Sequence, residues 1–294
     1  MVGGGAAAVA VVSSSRSVRR YRIGSFLVPG CRCRATGNAQ HATIMRLGIL
    51  GGGRAAWAFG SAWRRIGWPL SGVWLRDESN SRIAGLLGTS RMEMDALARE
   101  SELLLVAVSD RAIAGVAAAV PETEALVFHA SGALLSVRGG FSLHPLKSLP
   151  PVGMPSDLDD TLLVFEGEHR RTGKLVAAAV GARFCEVAPE QKALYHAAAV
   201  FGSNYVAAVL DVAERLMRES GVNNAREDLV ALARSALENW RLHDDAKRFT
   251  GPAARGDREV MERHAEVLRG DPQVARLYEL LAEQIVLGST ARKA

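Results

Sequence analysis

From residue 46 onward, short apolar runs of strand length alternate with segments of helix length, and this alternation constrains the fold more than any other feature. The predicted strands lie at 46–50, 72–75, 102–108, 125–129, 141–143, 161–165 and 182–187, and the predicted helices between them at 54–66, 79–87, 110–120 and 168–180. Strands that alternate with helices form βαβ units, in which the strands are parallel and helices cover both faces of the sheet. We therefore predict an α/β fold with a Rossmann-like, doubly wound parallel sheet.

The pattern changes at Pro189, after which no strand-like run remains. The alanine-rich stretch 189–219 predicts one long helix closed by Gly221. Further helices are predicted at 226–240, 256–268 and 272–287. The sequence thus predicts three parts: an extension at 1–44, a dinucleotide-binding domain at 45–187 and an all-helical substrate or dimerisation domain at 188–294.

The extension at 1–44 differs from the rest of the chain in composition. The chain has 36 basic and 31 acidic residues, and residues 1–45 hold six of the arginines and no acid. The remainder has one more acid than base, so the net charge of +5 does not indicate a nucleic-acid partner. The extension has three interpretations: an upstream region translated ahead of a true start at Met45, an organelle transit peptide, or a twin-arginine export signal at Arg19-Arg20.

Composition also argues against several other classes of protein. Three cysteines are too few for a disulfide scaffold. The apolar runs are shorter than the roughly 18 residues that indicate a membrane span. Cysteine, histidine and acidic residues do not cluster with the spacing of metal ligands, and the nucleophile motif G-x-S-x-G is absent. We therefore expect no metal, no membrane partner and a reducing, cytoplasmic location.

A glycine motif stands where the first predicted strand meets the first helix. Gly51, Gly53 and Ala56 form G-x-G-x-x-A, in the context in which this motif binds a dinucleotide. Gly51 permits the tight turn, Gly53 lets the backbone approach a pyrophosphate, and Ala56 allows the helix to pack closely on the strand. The phosphate would meet the free N–H groups of the helix start beside Arg54. The alternative is a structural glycine turn without a ligand.

The end of the second strand distinguishes the two nicotinamide dinucleotides. An acidic residue there binds the 2′-hydroxyl of NAD, whereas a basic residue accommodates the 2′-phosphate of NADP. The strand ends in Trp74-Leu75-Arg76, and Asp77 follows. Because Arg76 comes first, we predict NADP as the cofactor and keep NAD as the less favoured alternative. A solvated charge pair in a turn is the interpretation without a ligand.

Seven short motifs together resemble those of one protein family. They are RLGILGGGR at 46–54, AVSD at 107–110, HASGA at 129–133, HPL at 144–146, YHAAA at 195–199, SNY at 203–205 and TGPAARGD at 250–257. The family is uncharacterised, and its members are two-domain predicted oxidoreductases in which a Rossmann-like NADP-binding domain precedes a helical domain of unknown function. Its architecture is similar to that of pyrroline-5-carboxylate reductase, ketopantoate reductase and the 6-phosphogluconate dehydrogenase group.

The resemblance implies a helical domain that closes over the nicotinamide and often builds a homodimer. Two positions depart from the expected pattern. Ser109, which we predict to contact the cofactor, stands where the family usually has proline. Val200 stands where related 3-hydroxyacid dehydrogenases have a lysine, so proton transfer by that lysine is not expected.

Two loops should border the crevice at the carboxyl ends of the strands, where open α/β sheets bind ligands. Ser131 follows the strand at 125–129, and His144 follows the next strand, held extended by Pro145. His144 is a candidate proton donor to a substrate oxygen, and Ser131 is a candidate cofactor ligand. The alternatives are a histidine bonded to backbone and a serine that caps a helix. His129, nearer the strand body, is expected to be structural.

The long predicted helix carries a second set of candidates. His196, Val200 and Asn204 are spaced four apart on one face that is otherwise apolar, which is typical of a buried face. Buried polar groups need partners, either a ligand or an interhelical hydrogen bond. We predict His196 and Asn204 as catalytic residues together with His144. Arg255 is predicted to bind a carboxylate or phosphate of the substrate, with a charge network at a helix start as the alternative.

These features predict an NADP-dependent oxidoreductase acting on a small, anionic carbonyl or imine metabolite. The alternative is a dinucleotide-binding sensor or assembly protein without turnover, whose helical domain is a dimer interface. The missing lysine at Val200 favours that alternative. Reduction of a deazaflavin coenzyme by NADPH is a third hypothesis that the architecture permits.

Overall fold

A seven-stranded sheet forms the first part of the chain in the computed structural model, which describes residues 44–77, 82–243 and 246–290. Its strands are β1 Leu47–Leu50, β2 Leu70–Trp74, β3 Leu103–Val106, β4 Leu126–His129, β5 Phe141–Pro145, β6 Leu162–Gly167 and β7 Arg183–Glu186. They lie in the order β2-β1-β3-β4-β5-β6-β7. The predicted α/β, Rossmann-like class is confirmed. Residues 1–43 of the predicted extension lie outside the described residues.

The sheet is parallel except at one pair, where β6 runs antiparallel to β5. This differs from the fully parallel extension expected from sequence. A parallel neighbour requires a crossover connection, usually through a helix. The described connection between the two strands, at 146–161, contains no helix. The lack of a helix does not by itself set the direction, since the connection at 130–140 also has no helix and joins the parallel strands β4 and β5.

Helices accompany the sheet at α1 Arg54–Arg65, α2 Arg82–Leu87, α3 Met94–Glu100, α4 Asp110–Ala119 and α5 Arg170–Ala179. Of these, α3 was not predicted, and the expected start of α2 at residue 79 lies outside the described residues. Helix α1 buries Ala56, Phe59 and Trp63, which are spaced three and four apart and so share one face. This face packs onto the sheet, where the rings of Phe59 and Phe128 lie 5.8 Å apart.

The two faces of the sheet differ in chemistry across the end of β4, β5 and β6. On one face the rings of Phe128 and Phe141 stack at 5.0 Å. On the other face His129, Ser142 and Glu166 are direct neighbours across β4, β5 and β6, and we call them the polar row. All three are buried. Because buried polar groups require partners, the element covering this face must supply them.

The helical part of the chain consists of α6 Lys192–Phe201, α7 Asn204–Glu219, α8 Ala225–Leu242, α9 Pro252–Arg255, α10 Arg258–Val267 and α11 Pro272–Thr290. The prediction of one long helix over 189–219 is wrong in its continuity, because the helix breaks at Gly202-Ser203. Ser203 leaves helical geometry at φ −134° and ψ −79°. Its hydroxyl donates to the carbonyl of Ala199 at 2.6 Å, a local bond that competes with the helix.

The broken stretch also bears on membrane crossing. By length and composition alone, residues 189–219 are apolar enough to span a membrane, and none of the most apolar window is buried. The break divides it into helices of 10 and 16 residues. Each is shorter than the roughly 20 residues that a transmembrane helix needs. The expectation of no membrane partner therefore stays a prediction.

Candidate functional site

The glycine loop between β1 and α1 has the geometry that its sequence predicts. Gly51 has φ +122°, and a Cβ there would collide with the carbonyl oxygen of Ala107. Its N–H donates to the carbonyl of Trp74 at 2.9 Å, which closes the turn. Gly53 begins α1 and is exposed, as is Arg54, so the helix N-terminus is open to an anion. Ala56 is fully buried beneath this loop.

Two further predicted cofactor residues lie at the same edge of the sheet. Arg76 follows β2, and Ser109 precedes α4 at the end of β3. Both residues are exposed. Because β2 and β3 flank β1, the structure places Arg76 and Ser109 on either side of the glycine loop.

Ser131 lies after β4 but is buried, with its hydroxyl engaged in the loop. The Ser131 Oγ accepts from the amides of Ala133 at 3.2 Å and Leu134 at 3.1 Å. These are the bonds of a local serine turn. Because no helix follows within residues 131–140, the alternative of a helix-capping serine is wrong, and cofactor binding by Ser131 stays a prediction. His129 is structural in the same region: its Nδ1 accepts from the Ser131 amide at 3.2 Å, and its Nε2 contacts the carbonyl of Leu135 at 2.9 Å.

His144 and His196 come together beside Gly132, and Tyr195 joins them. The Nδ1 of His144 lies 2.6 Å from the Tyr195 hydroxyl. The rings of His144 and His196 are perpendicular, with centroids 5.8 Å apart. A Cβ at Gly132 would lie 2.5 Å from His196 and 3.0 Å from His144, so only glycine fits against both rings. We call His144, Tyr195 and His196 the histidine cluster.

The location of His144 corrects the sequence analysis, which placed it in a loop after the strand. His144 belongs to β5 itself and pairs with Val164 of β6. Strand residues two apart share a face, so His144 stands on the same face as Ser142. The sheet therefore holds the imidazole more rigidly than a loop would.

Burial keeps two members of the histidine cluster uncharged. Burial is the main cause that lowers the pKa of His144 to about 4, electrostatic interaction with His196 and Lys192 contributes in the same direction, and Asp110 opposes it. Burial also raises the pKa of the Tyr195 hydroxyl to about 12. At neutral pH the two side chains therefore form a neutral hydrogen-bonded pair. When the tyrosine hydroxyl donates to Nδ1, the Nε2 of His144 carries the other proton.

Lys192, which the sequence analysis missed, satisfies the polar row. Its ammonium donates to the Ser142 hydroxyl and, at 2.7 Å, to Glu166. Glu166 also accepts from the amide and hydroxyl of Ser136, at 2.9 and 3.1 Å. Burial lowers the pKa of Lys192. Burial opposes ionisation of Glu166 as well, but Lys192 and Ser136 outweigh it and lower its pKa.

Sequence signals for these missed residues existed but are weak. Lys192 precedes Tyr195 and His196 by three and four residues, so all three share one helix face. A lysine on an alanine-rich helix face more often reaches solvent than a buried carboxylate. Nothing in the sequence pairs Lys192 with Glu166, 26 residues earlier.

The structure does not bring Asn204 or Arg255 into the cluster. Asn204 starts α7 beyond the helix break and is exposed, and its side-chain amide lies 3.1 Å from the Ser203 hydroxyl. The prediction that His196 and Asn204 share one buried helix face is therefore wrong. Arg255 is exposed at the end of α9. Within the described ranges, no group of three histidine, cysteine or acidic residues has the arrangement of a metal site.

Solved structures with the same fold include several oxidoreductases. A candidate NADP oxidoreductase from Bacteroides fragilis is 22% identical with a TM-score of 0.72, over 83% of this chain and 99% of that one. A reductive aminase from Aspergillus terreus, in complex with NADPH and ethyl levulinate, is 17% identical with a TM-score of 0.60, over 84% and 96%. Pyrroline-5-carboxylate reductase from Streptococcus pyogenes is 12% identical with a TM-score of 0.58, over 82% and 98%.

Comparison with protein families assigns both parts of the chain. Among curated proteins, none matches. Residues 33–147 match the family described as a Rossmann-like domain. Residues 162–285, from the start of β6 onward, match the domain of unknown function DUF2520. The chain therefore carries a Rossmann-like domain followed by a DUF2520 domain, the two-domain architecture that its motifs predict.

Proposed function

We propose that this protein is an NADP-dependent oxidoreductase that acts on a carbonyl or imine group of a small metabolite. The observation that carries the proposal is the meeting of two features at one edge of the sheet. The glycine loop follows β1, and the histidine cluster stands where the parallel strands β4 and β5 end. Ligands of open α/β sheets bind at this edge.

The residues around the glycine loop fit a dinucleotide. The exposed N-terminus of α1 would hold the pyrophosphate, and Arg76 would hold the 2′-phosphate of NADP. The structural relatives named above support the choice, since two of them are named for NADP or were solved with NADPH. When bound, NADPH supplies the hydride.

The histidine cluster would supply the proton. His144 would give its Nε2 proton to a substrate oxygen or nitrogen while Nδ1 takes the proton of the Tyr195 hydroxyl, and solvent then returns a proton to Tyr195. The ring of His196 lies perpendicular to that of His144, and His196 would be a second proton donor on the same side of the crevice. A positioned acid of this kind contributes roughly 10²- to 10⁴-fold to rate. Asn204 and Arg255 have no part in this proton transfer, and substrate contacts by them remain a prediction.

Cofactor choice is tested by calorimetry with NADPH and NADH. We expect Arg76→Ala to weaken NADPH binding by about 1.5–3 kcal/mol, the value of a charge-assisted bond, and to leave NADH binding unchanged. Arg46→Ala is the matched control, because Arg46 is an exposed arginine just before β1, at the opposite edge of the sheet. Equal affinities of the wild type for the two cofactors would refute the role of Arg76.

Turnover is tested by NADPH oxidation against a panel of keto acids and imines. We expect activity with at least one compound and a strong loss of rate in His144→Ala, with NADPH binding preserved. Binding of NADPH without turnover of any compound would favour the alternative function, a dinucleotide-binding sensor or assembly protein.

A further inference from the structure

Two buried charges lie directly behind the histidine cluster, and the proposed proton transfer does not use them. The side chains of Lys192 and Glu166 are only 2% and 3% exposed and are joined by a 2.7 Å ion pair. Glu166 is fully engaged by Ser136, Ser142 and Lys192. Both oxygens of Glu166 are therefore occupied, and Lys192 directs two of its three N–H donors at the sheet.

The ion pair makes one of two contacts that hold α6 on strand β5. Lys192 begins α6 and meets Ser142 of β5. One helical turn later, Tyr195 meets His144 of the same strand. A helical turn rises about 5.4 Å, and two strand residues span about 6.6 Å, so the two contacts fit side by side.

The stability of the fold does not require such a pair. Desolvation of two charges is expensive, and well-packed apolar residues in place of a buried ion pair are often neutral or stabilising. Apolar residues do not fix the orientation of a helix on a sheet, because the helix can rotate or slide without losing a specific bond. Glu166 is itself held by the amide and hydroxyl of Ser136, so Lys192 has one position in which its bonds are made.

We propose that Lys192 and Glu166 are positioning residues, which set the rotation and register of α6 on β5 and so hold Tyr195 and His196 against His144. The proposal rests on the proposed function for its effect on rate. Its effect on the hydrogen bond between His144 and Tyr195 is independent of any substrate.

The test uses a double variant, Lys192→Met with Glu166→Gln, which removes the tether without leaving an unpaired buried charge. Glutamine keeps one oxygen to accept from the Ser136 amide, its NH2 group can donate to the Ser136 hydroxyl, and methionine keeps the length of lysine. The matched control is Arg170→Met with Glu186→Gln, an exposed ion pair between α5 and β7. A helix without its tether should lose the cluster geometry, whereas the control should keep it.

The first readout is the proton–nitrogen NMR spectrum of the histidine rings, assigned by comparison with His144→Ala. Wild type and control should show His144 in one tautomer fixed by Tyr195. The double variant should show the averaged signals of a released ring, and Tyr195→Phe should show the same signals. A wild-type His144 spectrum in the folded double variant would overturn the proposal.

The second readout applies once a substrate is known. Displacement of catalytic groups by about 1 Å costs up to 100-fold in rate, so kcat of the double variant should fall about 10- to 100-fold with NADPH affinity unchanged. Full kcat would overturn the proposal. If the wild type turns over no compound, the proposed function fails and the NMR result still decides the positioning role. If the double variant does not fold, Lys192→Leu with Glu166→Gln, which also leaves no buried charge, is tested in the same way.

Discussion

Replacement of His144 by glutamine should change how the stability of the protein depends on pH. Glutamine retains a donor and an acceptor but does not titrate. In the unfolded chain a histidine has its ordinary pKa near 6.5, whereas burial lowers the pKa of His144 to about 4 in the fold. Between these two values the unfolded chain binds more protons than the folded one, so acidification through this range favours unfolding.

The magnitude follows from the two pKa values. His144 contributes its full stability above the unfolded value near 6.5 and loses it progressively as the pH falls toward 4. At pH 7 nearly all of the contribution is present. At pH 5 the loss reaches about 2 kcal/mol, a substantial part of the stability of an ordinary domain.

Urea unfolding at pH 7 and pH 5 measures this difference. The wild type should lose about 2 kcal/mol more than His144→Gln between the two conditions. Burial also lowers the pKa of His129, but His129 is present in both proteins and its effect cancels. His243→Gln, at an exposed position, is the control and should follow the wild type. Parallel pH dependences in wild type and His144→Gln would refute the burial of a neutral imidazole at this position.

Three further outcomes are expected. Gly51→Ala should destabilise the fold by about 1–3 kcal/mol in urea unfolding, because φ +122° is strained for alanine and its Cβ meets Ala107; a smaller change would argue against the tight turn. Tyr195→Phe should lower kcat and leave NADPH affinity unchanged, and full kcat would exclude the hydroxyl from proton transfer. Phe201 and Trp240 are 68% and 63% exposed, so we propose that a second copy covers them. Light scattering without detergent should give a dimer that charged substitutions at both positions dissociate, whereas a monomer that binds lipid vesicles would instead indicate a membrane surface.

The sequence predicts best those features whose causes are local. Strand positions follow from short apolar runs, and the glycine loop follows from the positive φ that Gly51 must adopt. The direction of β6 was not predictable in the same way. The apolar pattern of a strand is the same in either direction, and a connection without a helix joins both the parallel pair β4 and β5 and the antiparallel pair β5 and β6.

The candidate site was only partly predictable, because its polar partners are distant in sequence. The motifs identified His144 and His196, but their contact depends on how α6 lies on β5. Lys192 and Glu166 determine that arrangement across 26 residues, a pairing that no local pattern encodes. Periodicity also misplaced Asn204, since a 3.6-residue repeat continues through Gly202-Ser203 in the sequence but not in the backbone.

The helix break decides which of the predicted residues belong to the site. Two contacts with β5 align α6, which ends at Phe201. The side chains on the inner face of α6 are therefore held in fixed positions relative to the sheet. Beyond Ser203 the chain continues in α7, whose first residue, Asn204, is exposed. A continuous helix would keep all residues from Lys192 to Asn204 aligned with β5. Because the helix breaks, only the residues of α6 are aligned in this way. The residues suited to proton transfer are therefore those that the sheet positions, and Asn204 is not among them.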